Sequence, residues 1–312
     1  MRSTPLAAGL ALSLLGSGCT INPPLNLAEV AAGVEPVELV DVSFHPQEAH
    51  HCGPASLLTV LEASGVTTDY ETVVERVYVP GLEGSLQVEM LAAARAFGRV
   101  AYTLPPEPAA LLAEVEAGRP VLVLLNLGLP KAPVWHYAVV VGFDPKRNRI
   151  HLHSGREPRS QQRARSWLRR WEWAGRWSML LLRPGEWPAS PERERLLGAL
   201  AAFEDTGDPA AAERAWRNAA DRWPEEVLVW LGVGNTAHLR GDQQAAVQAF
   251  RRALVIDPEH LPARLNLALT LAEDGRPCEG LEILGLAPPA DHPLWSAFAE
   301  NEARLRGECA AR

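Results

Sequence analysis

The stretch HPQEAHHCGPASLLTVLEASGV, residues 45–66, holds one of only four cysteines in a chain of 312 residues. Cys52 follows two histidines and precedes Gly53-Pro54. The spacing of Leu57, Leu58 and Leu61 predicts a helix over 53–65 that stops at Gly65. Pro54 suits a first helical turn, so Cys52 falls at the helix N-terminus, where unsatisfied N–H groups and the dipole favour a negative sulfur. A thiol attacks only as thiolate, so the position suits a nucleophile. Such a nucleophile also needs an imidazole to take its proton. His50 and His51 are too near along the chain to be well placed. His136 is the better candidate, because it opens HYAVVVGFD (136–144), an apolar run that would fix its ring at a strand end. A buried spacer cysteine is one competing reading. A zinc site from His45, His50, His51 and Cys52 is another, although their spacing suits no common structural pattern. No metal and no cofactor is expected.

Around this stretch the chain alternates. VELVDVSF (37–44) reads as a strand; 69–79, 85–98 and 107–118 read as helices; 119–128, 136–144, 149–155 and 176–182 read as strands. Helices first and an antiparallel sheet second make an α+β domain over residues 37–186.

The pattern Gln47-x4-Cys52-Gly53-Pro54-Ala55, followed by His136-Tyr137-Ala138-Val139-Val140-Val141-Gly142, resembles the C39 and C39-like cysteine peptidases. With the repeats described below, it is similar to a bacterial lipoprotein group of such peptidases. The resemblance covers roughly residues 40–183 and implies a papain-like fold. It implies Cys52 as nucleophile, His136 as general base, and Gln47 as side-chain donor to the oxyanion, joined by the backbone N–H of Cys52. It also implies a peptide or protein substrate. The family carries an Asp on the strand after the histidine. Here that stretch is RIHLHSG, which puts Ser154 or His153 in the place, with Asp144 and Asn148 as fallbacks in the preceding turn. The dyad is therefore the firmer expectation and the third member stays open.

Residues 1–18 read as a targeting segment. Arg2 leads the apolar run PLAAGLALSLLG (5–16), which is too short to span a bilayer, and Gly16, Ser17 and Gly18 lead into Cys19. This resembles a bacterial lipoprotein signal with Cys19 as the lipidated residue. Residues 19–36 then form a Pro-containing tether. Thr20 after the cysteine implies sorting to the outer membrane, facing the periplasm. Of the remaining cysteines, Cys278 and Cys309 are the expected pair if any forms, which leaves Cys52 free.

Residues 190–305 repeat every 34 positions. Gly207, Gly241 and Gly275 coincide, as do Ala212, Ala246 and Gly280, then Trp216, Phe250 and Leu284, then Ala219, Ala253 and Ala287. This period with these residue types is the tetratricopeptide signature, an all-α solenoid suited to docking a protein partner. Net charge is -8 and offers no basis for nucleic acid as a partner, the one exception being the Arg-rich run RSQQRARSWLRR (159–170), read as a solvated surface element.

Two alternatives accompany the peptidase reading. One is a papain-like enzyme of another acyl-transfer class. The other is an inactive peptidase-like domain that, with its repeats, makes a binding or assembly lipoprotein.

Overall fold

Strands whose every residue is apolar are buried on both faces, and such runs need helices on each side of the sheet. The computed structural model describes residues 26–47, 50–206 and 208–311. The targeting segment 1–18, Cys19, the tether as far as residue 25, and Gly207 of the repeats lie outside the described residues.

The described chain opens with α1 (Leu27–Val30) and β1 (Val37–Glu38). Then come α2 (Cys52–Ala63), α3 (Tyr70–Val77), a single 3-10 turn at Pro80–Leu82, and α4 (Gln87–Ala96). Next are β2 (Val100–Thr103), α5 (Pro108–Glu116), β3 (Val121–Asn126), β4 (Trp135–Asp144), β5 (Arg149–Ser154), β6 (Glu157–Arg163), α6 (Ala164–Glu172) and β7 (Ser178–Leu182). The strands form one antiparallel sheet in the order β2-β7-β3-β4-β5-β6, with β1 paired to β4 beyond the end of β3.

The period-2 alternation of the strands sorts this domain into two layers. On one face Leu122, Leu124, Tyr137, Val139 and Val141 pack against Leu57, Leu58 and Leu61 of α2 and Met90 of α4. On the other, Val121, Val123, Leu125, Ala138 and Val140 meet Leu111 and Val115 of α5 and the stacked rings of Trp167 and Trp171 on α6. The helix carrying Cys52 is thus wedged against the strand carrying His136, so burial positions both.

Seven helices follow: α7 (Arg193–Glu204), α8 (Pro209–Arg222), α9 (Val227–Leu239), α10 (Gln243–Ile256), α11 (Leu261–Glu273), α12 (Pro277–Leu284) and α13 (Trp295–Ala310). They pair as the 34-residue period requires. A side chain at Gly280 would run into the backbone of Ala268, so only glycine allows α12 to approach α11 this closely. Cys278 and Cys309 form the expected disulfide across 31 residues, a loop whose closure is worth about 3–4 kcal/mol. The first repeat shares a core with the sheet: Leu196, Leu200 and Trp216 belong to the same cluster as Tyr102 and Trp167. Linker contacts fix the junction, with Glu192 N donating to Tyr102 Oη at 3.1 Å and Ala189 N donating to Glu114 Oε1 at 2.7 Å.

Several local expectations need correction. The strand expected over 37–44 pairs only at Val37–Glu38, because the chain turns at 40–42 and leaves β4. The tether expected over 19–36 is already docked at Leu27, which is fully buried while its N–H donates to Asn148 Oδ1 at 3.1 Å. Strand β2 was missed because VAYT is short and follows a helix directly. The Arg-rich run is β6 and α6, solvated on its arginine side and buried at Ala164, Trp167 and Trp171. In the third repeat Ala287 lies beyond the helix, which ends at Leu284 before Gly285.

Candidate active site

Cys52 is the first residue of α2, and its sulfur faces the backbone amides of Tyr137, Gly53 and Cys52 itself. These amides favour a thiolate, as the helix N-terminus leads one to expect. Burial acts the other way and is the larger effect, so the thiol is pushed above its ordinary value of 9.0. The dipole does not win here, because α2 drives its first residues into the core: Gly53, Pro54 and Ala55 are all buried.

His136 is the second residue of β4, opposite Leu125 of β3. Its Nε2 lies 2.8 Å from Ser154 Oγ at the end of β5. Burial lowers its pKa and the positive charge of Arg170 lowers it further. Cys52 and His136 line the same cleft of about 740 Å³, together with Gln47, Ser85, Trp135 and Arg156. The raised thiol and the lowered imidazole both favour the neutral forms of the pair.

Gln47 is held by three side-chain hydrogen bonds. Its Oε1 accepts from Gly155 N at 2.8 Å, and its Nε2 donates to Ser56 Oγ and to Tyr137 O, each at 3.3 Å. The orientation of the amide follows from its partners: a flip would set its NH₂ against the Gly155 N–H and leave Tyr137 O facing an oxygen. Gln47 N also donates to Gly155 O at 2.9 Å, tying the loop before Cys52 to the end of β5. Both amide hydrogens are engaged within the wall in this state, and the two 3.3 Å distances are at the long end for an N–H donor.

The structure separates the alternatives for the third member. Ser154 meets the imidazole. His153 points to the other face, donating from Nε2 to Val42 O at 3.1 Å and accepting at Nδ1 from Arg159 N at 3.2 Å. Asp144 closes the far end of β4, accepting from Arg147 N at 2.9 Å, and it lies eight steps along the strand from His136, roughly 26 Å. Asn148 bonds Leu27. The other histidines near Cys52 are used elsewhere: His45 pairs with Glu62 at 2.8 Å, His51 reaches Tyr70 Oη at 3.0 Å, and His50 faces Glu83 at 3.9 Å.

Sequence reasoning missed three supporting residues. Ser56 lies one helical turn after Cys52, so the i+4 phase of α2 was the available signal. Tyr137 supplies both an amide to the sulfur and a carbonyl to Gln47, and its Oη donates to Ser85 O at 3.3 Å. Ser85 Oγ is buried without a hydrogen-bond partner among the described residues and lies where a side chain at Gly53 would fall. Nothing local in the sequence marks it. A second cleft of about 660 Å³ lies in the repeats between Arg193, Glu204, Trp216 and Asn235. There Asn235 donates to Glu204 at 2.9 Å and Asn266 to Asn235 at 2.8 Å, a polar ladder linking α7, α9 and α11.

Residues 39–179 match the model of the Peptidase_C39 like family, and residues 199–260 match that of the tetratricopeptide repeat. No curated protein matches the chain. Among solved structures, one described as a C39-like peptidase from Bacillus anthracis is similar at 16% identity and a TM-score of 0.41, covering 48% of this chain and 98% of that one. The chain carries a C39-like domain followed by tetratricopeptide repeats.

Proposed function

We propose that the protein is a lipid-anchored cysteine peptidase of the cell envelope, held by lipid at Cys19 and facing the periplasm, with repeats that dock its substrate or a partner. The observation that carries the reading is the cleft shared by Cys52, His136 and Gln47, with Ser154 on the imidazole.

In this mechanism the Cys52 thiol gives its proton to His136 Nδ1 as sulfur attacks the peptide carbonyl, rather than resting as a preformed thiolate. Ser154 accepts from Nε2–H and keeps the ring in place. Gln47 releases one of its two 3.3 Å contacts and turns that hydrogen to the oxyanion, beside the Cys52 amide. The C–N bond breaks, His136 passes its proton to the leaving amine, and a thioester joins the acyl group to Cys52. Water, deprotonated by His136, then frees the acid and restores the thiol.

One observation favours a second reading, a non-catalytic binding lipoprotein. His136 has a hydroxyl and a nearby Arg170 where an imidazolium calls for a carboxylate. Labelling with an electrophilic thiol reagent across pH, comparing the full chain with Cys52→Ser, His136→Ala and Gln47→Ala, separates the two. The peptidase reading expects an adduct at Cys52 whose formation slows in His136→Ala, together with turnover of an unfolded-protein substrate that Cys52→Ser abolishes. Labelling unaffected by His136→Ala, with no turnover, favours the binding reading. Lipid at Cys19 is read by the mass of the mature N-terminus.

A further inference from the structure

The charge of this chain is unevenly placed. Between residues 146 and 176 it carries ten Lys and Arg against two Glu, although the whole chain is at -8. Four of these cations have carboxylate partners: Lys146 with Glu35, Arg147 with Asp144, Arg159 with Glu38 and Arg176 with Glu172. Arg149, Arg156, Arg163, Arg165, Arg169 and Arg170 form no ion pair among the described residues, whereas arginines of the repeats such as Arg217, Arg240, Arg251 and Arg252 are paired with Glu.

Arg149, Arg163, Arg165 and Arg169 share one region of the fold, whereas Arg156 lines the cleft of Cys52 and the charge of Arg170 acts on His136. Arg149 of β5 and Arg163 of β6 occupy directly facing positions, an arrangement in which like charges repel unless an anion lies over them. Arg165 and Arg169 are exposed one turn apart on α6, whose opposite side buries Trp167 and Trp171. The Arg169 guanidinium covers the Trp173 ring at 5.3 Å.

The N-terminal part of the chain arrives at this same region. Asn148 accepts from Leu27 N at 3.1 Å through its side chain and from Ala164 N at 3.0 Å through its carbonyl. One residue therefore joins the first described helix to the start of the arginine-bearing α6. Seven residues, 20–26, separate Cys19 from the start of α1, a reach of at most about 29 Å.

We infer that the β6–α6 face is a membrane-docking surface whose partner is the anionic phosphate headgroups of the bilayer holding the anchor. The inference rests on the lipid at Cys19 proposed above for its choice of a bilayer as the partner. A short tether brings a cationic face to an anionic surface, and each Lys or Arg near such a surface adds to the attraction. Docking also gives Arg149 and Arg163 the anions that the described residues do not supply.

The test uses the mature chain from residue 19 with Cys19→Ser, which removes both the lipid and the apolar targeting run and isolates the surface. Its sedimentation with phosphatidylglycerol vesicles is compared with that on phosphatidylcholine vesicles, and with the same chain also carrying Arg163→Glu, Arg165→Glu and Arg169→Glu. The expected result is binding to phosphatidylglycerol alone, lost at about 0.5 M salt and weakened roughly 100-fold or more by the three reversals. Thermal melting and Cys52 labelling of the reversed chain report that the fold is intact. No binding to phosphatidylglycerol overturns the inference, whether or not Cys19 proves lipidated. Equal binding by the reversed chain overturns it too, as does binding to a soluble oligonucleotide without binding to vesicles. Peptidase turnover is read separately, so its absence leaves this result standing.

Discussion

His136 Nε2 and Ser154 Oγ lie 2.8 Å apart, joining the start of β4 to the end of β5, and this contact stands where an imidazolium would be best served by a carboxylate. A hydroxyl orients the ring but supplies no charge to stabilise the protonated form. Ser154→Asp should therefore raise the proton affinity of His136 about tenfold or more, and shift Cys52 labelling to lower pH. Ser154→Ala should lower the labelling rate by loosening the ring without moving the profile to lower pH. A Ser154→Asp profile superimposable on the wild type would mean that His136 does not handle the thiol's proton.

Much of this arrangement is legible in the sequence, and for identifiable reasons. Cys52 is marked by Gly53-Pro54 and by the leucine spacing of α2, both local signals. His136 is marked by the uninterrupted apolar run that follows it. Ser154 is found by the strand after that run, but its choice over His153 turns on which face of β5 each residue occupies. Pairing register decides that, with Val139 opposite His153. The raised Cys52 pKa was not legible, because it depends on how deeply α2 sinks between the sheet and α4. Nor was Ser85, which reaches Gly53 only through the packing of α4 on α2.

Gly53 is held to its identity by that packing. A Cβ there would lie 2.6 Å from Ser85 Cβ and closer still to its Oγ, so Gly53→Ala should cost about 1–3 kcal/mol and displace the first turn of α2. Ser85→Gly in the same chain should restore most of the loss, since Ser85 Oγ makes no hydrogen bond among the described residues that its removal would break. Denaturant melts of the two single variants and the double variant read the coupling directly. Additive losses would place the strain elsewhere.

Acid should unfold this protein from the histidine range downward. Burial lowers the pKa of His136, His151, His153 and His260. For such groups the unfolded chain takes up protons near pH 6.5 that the folded chain refuses, so stability is full above that pH and falls as pH drops toward the folded values. The melting temperature should be lower at about pH 5 than at about pH 7.5, before the carboxylates titrate. His151→Leu should reduce that difference, because His151 Nδ1 is buried without a hydrogen-bond partner among the described residues and the substitution removes one refused proton. An unchanged pH dependence would remove His151 from the account.

Gln47 is asked to serve two purposes, and its substitutions distinguish them. As a wall residue it satisfies Gly155 N and Tyr137 O, so Gln47→Ala should leave both wanting and cost about 1–3 kcal/mol of stability. As an oxyanion donor it should also account for about 10²–10³ in the rate of acyl transfer. Gln47→Glu keeps the acceptor for Gly155 but removes the donor and places a negative charge beside the developing oxyanion, so its rate should fall at least as far as that of Gln47→Ala. Rates are to be compared per folded molecule, with melting curves giving the folded fraction. Losses in stability alone, with the rate per folded molecule unchanged in both variants, would leave Gln47 as a wall residue and shift the oxyanion contact to the backbone amides around Cys52.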